Sequence, residues 1–80
     1  MPTVILERGY RIVVYTNDHL PPHVHVIKTG HKAQFIVWNS EVELYENTNM
    51  TARELSQSAD LCAKHYDRIV TILKEMPWVR

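Results

Sequence analysis

At Asn49 the spacing of apolar residues changes from every second position to about every 3.6, and this switch constrains the fold more than any other feature of the chain. Before it come short segments rich in β-branched and aromatic residues, at 3–7, 10–16, 23–28, 31–38 and 42–45. After it Leu55, Ala59, Cys62, Tyr66, Ile69, Val70, Leu73 and Met76 form one helical stripe. A sheet and an amphipathic helix can each bury an apolar face against the other. The expected fold class is therefore α+β: an antiparallel sheet of four or five strands with one long C-terminal helix packed on one face. Residues 1–80 make a single domain, with a β-rich half at 1–46 and a helix at 51–76.

The ends of that helix are marked. Thr51 can cap it, and Glu54 three positions later completes a capping box in which each side chain satisfies the other residue's backbone N–H. Pro77 stops it. A straight helix over 52–76 is roughly 37 Å long, whereas a six-residue strand spans about 20 Å. One end must overhang the sheet, bend, or pack on another chain.

Arg8-Gly9 and Thr29-Gly30 are too short for anything but tight hairpin turns. The second turn sets a register: Val24 opposite Phe35 and Val26 opposite Ala33 on one side, His23 opposite Ile36 and His25 opposite Gln34 on the other. Val24, Val26, Ala33, Phe35 and Val37 then face the helix stripe, the histidines look outward, and Trp38 follows on their side.

Nine basic and nine acidic residues leave no net charge, so RNA or DNA contact is not favoured by broad electrostatic attraction and must be local. A lone Cys62, read as a small buried core residue, cannot close an intramolecular disulfide, and no charged segment followed by an apolar one opens the chain. The expectation is a cytoplasmic protein. The longest apolar runs fall far short of the roughly 20 residues a membrane helix needs, so no membrane association is expected.

The chemistry concentrates in "NDHLPPHVHV", residues 17–26, which holds three of the five histidines. His23 and His25 stand two apart in a strand, so both rings leave the same face with Cβ atoms about 6 to 7 Å apart. Imidazole titrates near neutral pH and can act as general acid or general base. The candidate catalytic residues are His19, His23, His25 and Asp18, and cleavage of RNA through its 2′-hydroxyl is one reaction such a set can run. Gln34, Trp38 and Asn17 are the candidate substrate contacts, by hydrogen bonding and by stacking on an unpaired base. No cofactor is expected. If a metal is bound, His23, His25 and His19 would hold it, with Asp18 as the other source of a third ligand. The bland alternative is that Pro21-Pro22 merely keeps the chain extended into the strand, leaving half-exposed strand histidines.

Other features read as structural. Lys64, His65 and Arg68 make a small basic patch on a solvated helix face. Glu41, Glu43 and Glu46 line the exposed side of an edge strand. Trp78, past the helix stop, is a lid on the core or an interface anchor.

The stretches "GYRIVVYTNDHLPPHVHV" and "TARELSQS" resemble a small bacterial family known as domain of unknown function 4160, and the resemblance covers nearly the whole chain. Its most specific part is the block carried by Asn17, Asp18, His19, Pro21, Pro22, His23, Val24, His25 and Val26. The resemblance implies a β-rich half followed by helix, and a small partner protein encoded beside it in a toxin–antitoxin-like module. The first functional expectation is a toxin-like protein acting on RNA or on a component of translation or replication through the histidine-bearing face. Its rivals are a non-enzymatic antitoxin or scaffold module that uses the overhanging helix and Trp78 as its interface, with homo-oligomerisation through the helix expected, and a metal-binding protein with a His-x-His site.

Overall fold

The computed structural model describes residues 3–79. Five strands, β1 (Thr3–Glu7), β2 (Tyr10–Val14), β3 (His23–Lys28), β4 (His31–Trp38) and β5 (Glu41–Thr48), form an antiparallel meander in the order β1-β2-β3-β4-β5. Two helices follow, α1 (Ala52–Lys64) and α2 (Tyr66–Lys74). The α+β class and the five strands agree with the sequence expectation. The single long helix does not.

Three two-residue turns build the meander, at Arg8-Gly9, Thr29-Gly30 and Asn39-Ser40, and in each both residues have positive φ. That is the backbone of the mirror-image turn whose twist matches paired strands. Thr29-Gly30 fixes the β3–β4 register as expected, with Val24 opposite Phe35, Val26 opposite Ala33, His23 opposite Ile36 and His25 opposite Gln34. Two strands differ in extent from expectation. β2 stops at Val14, because Tyr15 begins the loop that leads to β3, and β5 extends to Thr48 through a bulge opposite Gln34 and Phe35.

The core lies between the sheet and the helices. Val24, Val26 and Val37 from the sheet and Cys62, Ile69 and Leu73 from the helices are wholly buried, with Ala33 and Phe35 nearly so. Leu55, Ala59, Tyr66 and Val70 pack at its margin. Ser58, Leu61 and Met50 are also buried, and the Ser58 hydroxyl reaches the Met50 sulfur.

Both halves of the capping box form, with the Glu54 N–H donating to Thr51 Oγ1 and the Thr51 N–H donating to Glu54 Oε1. The helix breaks at His65, which leaves helical geometry at φ −101° and ψ 19°. Lys64 Nζ and His65 Nε2 both lie 2.9 Å from the Glu7 carboxylate at the end of β1. A straight helix of roughly 37 Å would exceed the longest dimension of the molecule, 33 Å. Of the three ways to meet the length mismatch, the chain bends; Lys64 and Arg68 stay exposed as expected of a solvated helix face, while Lys64 and the half-buried His65 also anchor to β1.

Candidate functional site

The site grows from pleat parity. Val24 and Val26 fill the core side of β3, so His23 and His25 must leave the opposite face. His25 is half-buried, as a ring on an open sheet face should be. His23 is not outward-looking in the sense expected: its side chain is wholly buried. The loop 15–22 doubles back over this end of the face, and rings of Tyr45 and Trp78 lie 5.9 and 5.6 Å from that of His23. The burial is by loop and tail, on the side of the sheet away from the helices.

The loop brings Asp18 onto the histidines. Asp18 Oδ2 lies 2.9 Å from His25 Nε2 and 3.2 Å from His23 Nε2. One donor atom from each of Asp18, His23 and His25 lies within 4.8 Å of the other two. The second oxygen, Oδ1, accepts the backbone N–H of His19 at 2.9 Å, which orients the carboxylate. Burial pushes the Asp18 carboxyl up, but the hydrogen bonds from His25 and from the His19 N–H, with the electrostatic influence of the two neighbouring imidazoles, outweigh it and hold the group below the usual aspartate range.

Each of the five histidines has a carboxylate oxygen within 3.2 Å, so such a partner alone marks no site. His23 differs in two ways. Its Nδ1 is 2.6 Å from the Pro21 carbonyl, which can only accept, so Nδ1 carries the proton. Its Nε2 is buried without a hydrogen-bond partner, because the approach to Asp18 Oδ2 lacks the alignment a hydrogen bond needs. Buried polar atoms are nearly always satisfied, so this exception calls for an explanation.

The other expected residues disperse. The His19 side chain is 75% exposed, and its Nδ1 lies 3.1 Å from Asp18 Oδ1, the oxygen on the far side of the carboxylate. Asp18, not His19, is therefore the third member of the cluster. Gln34 is half-buried and donates to Glu46 Oε2, and Asn17 is exposed. Trp38 and Trp78 both pack against the core cluster, but the indole beside His23 is that of Trp78, whose N–H donates to the Tyr15 carbonyl. Tyr15 stands edge-on to His25 with ring centroids 4.7 Å apart. Tyr15 and Tyr45 keep part of their surfaces open to solvent beside the cluster. Sequence reasoning missed both tyrosines. Tyr15 stands two positions beyond Val13, the partner of His25, but a β2–β3 register cannot be read across an eight-residue loop. Tyr45 arrives through the bulge, which no sequence signal announces.

A protein-family model described as Domain of unknown function (DUF4160) matches residues 9–72, a span that contains the whole histidine block. No curated protein and no solved structure matches the chain. No helix among the described residues is long and apolar enough to cross a membrane.

Proposed function

The chain belongs to the DUF4160 family, and from that premise we propose that it is the toxin-like member of a paired module, acting on RNA or a component of translation through the Asp18–His23–His25 site. The observation that carries this reading is the convergence of one carboxylate and two imidazoles at one end of an otherwise plain sheet face. Such a set can activate a hydroxyl or a water for attack on a phosphodiester. Tyr15 and Tyr45 offer flat, partly open rings beside it, and an unpaired base can stack on either.

The surroundings limit how the substrate is held. Glu43 and Glu46 of β5 pair with Ile36 and Gln34, the same residues that face His23 and His25 from the other side. That flank repels a phosphate backbone, so stacking and the cluster itself must supply the affinity. A paired small protein would then cover the exposed rim in its neutralised form.

Controlled expression in a bacterial host tests the reading, using wild type, Asp18→Asn and His25→Ala. His23 is left alone because it is buried. Wild type should slow growth and alter the RNA profile, and both variants, once their circular dichroism matches wild type, should do neither. Indistinguishable growth and RNA in all three strains would end this reading.

A further inference from the structure

We infer that Asp18 Oδ2, His23 Nε2 and His25 Nε2 are the ligands of one divalent first-row transition-metal ion, zinc(II) being the best fit. The inference deepens the reading above, since it concerns the same site, but it stands on separate observations.

The first is the orphaned atom. With its proton on Nδ1 facing the Pro21 carbonyl, His23 presents a bare lone pair at Nε2, wholly buried, 3.2 Å from a carboxylate oxygen. Two electron-rich atoms at that separation repel unless a positive charge lies between them. A proton on Nε2 would be one such charge, but it would be held in a hydrogen bond, and the alignment for one is missing. A metal ion needs no such alignment along the line joining its two ligands.

The second is distance. Zinc binds imidazole nitrogen and carboxylate oxygen at about 2.0 to 2.2 Å, so ligand atoms 90 to 109° apart around the ion sit roughly 2.9 to 3.4 Å from one another. Asp18 Oδ2 is 2.9 Å from His25 Nε2 and 3.2 Å from His23 Nε2, inside that window, and on binding the ion would take the place of the Nε2 proton that His25 gives to Asp18, with His25 keeping a proton on Nδ1. Both pairs that involve the carboxylate already hold the spacing that a shared ion requires, and all three atoms lie within 4.8 Å of one another.

The third is the outer shell. Metal-bound histidines usually donate their other ring N–H to a carbonyl or carboxylate, which fixes the tautomer and the ring, and His23 does so to Pro21. Asp18 is steadied in the same way by the His19 backbone N–H on the oxygen that is not a ligand. Two imidazoles and one carboxylate suit zinc or another borderline ion, not magnesium or calcium, which prefer all-oxygen sites. Three protein ligands leave at least one position for water or substrate. Tyr15, Tyr45 and the exposed His19 stand beside the cluster.

Full-length protein without an affinity tag, stripped with chelator and titrated with zinc chloride by calorimetry, tests the site, with cobalt(II) absorbance as a second readout. Wild type should take up one ion per chain and melt at a higher temperature with zinc present. Asp18→Asn and His25→Ala, verified as folded, should lose affinity by about a hundredfold or more, while His19→Ala stays near wild type. Absence of binding, or equal affinity in the two ligand variants, would overturn the inference. The same protein incubated with RNA, with and without chelator, separates it from the functional reading. A chain that binds zinc but leaves RNA intact keeps this site and loses the activity; one that cleaves RNA equally well in chelator and binds no zinc does the reverse.

Discussion

His23 and Cys62 are both wholly buried, and His23 Nε2 is a buried nitrogen without a hydrogen-bond partner. Cys62 lies on the apolar stripe of α1, and burial pushes its thiol up to about 12, so at neutral pH it is protonated and shielded. A thiol reagent at about pH 8 should therefore label the native protein far more slowly than the urea-unfolded chain. Comparable rates would show that the helix layer opens readily. For His23, residue type and strand parity are legible in the sequence, but its burial is not. What covers it comes from residues 15–22, 45 and 78, whose approach no local pattern encodes.

Among the elements, the turns carry the clearest local cost. Thr29 sits at φ 47°, a left-handed conformation that a β-branched side chain adopts poorly, while Gly30 beside it takes φ 80° freely. Thr29 is exposed, so its side chain has little packing to lose. Replacing it with Asn, which tolerates this region, should stabilise the fold by about 1 kcal/mol, raising the melting temperature of a domain this size by roughly 4 to 8 °C. An unchanged or lower melting temperature would contradict the turn assignment. The β3–β4 hairpin and the capping box of α1 were legible because both are set by residues within four positions of each other. The break at His65 was not. No Pro or Gly lies within α1 or α2 to cause it, and the residues that meet there, Glu7, Lys64 and His65, are 57 and 58 positions apart.

As a whole, the molecule is two layers with a radius of gyration of 11.4 Å, close to the roughly 11.6 Å expected of a compact chain this long. Glu7 ties the first hairpin to the helix layer. Hydrogen bonds from Lys64 and then His65 lower its carboxyl below the usual 4.5. The unfolded chain therefore binds that proton more tightly, and the tie contributes stability above the ordinary glutamate range that is lost as pH falls through the folded value. Urea unfolding of wild type and Glu7→Gln over a range of pH checks this. The variant should be the less stable near neutrality, and the gap should close in acid. Parallel curves would mean that the Glu7 contacts carry no net stability.

By itself the sequence determined the class of fold, the β3–β4 register, the helix start, and the face from which His23 and His25 emerge. Each of these follows from periodicity or from turn and cap chemistry, which act over a few residues. Only the tertiary structure decided that Asp18 and not His19 completes the cluster, that Trp78 and Tyr45 close over His23, and that the helix bends. Those outcomes depend on how a loop and a tail fold back across the sheet, and such long-range closure is governed by the packing of the whole chain.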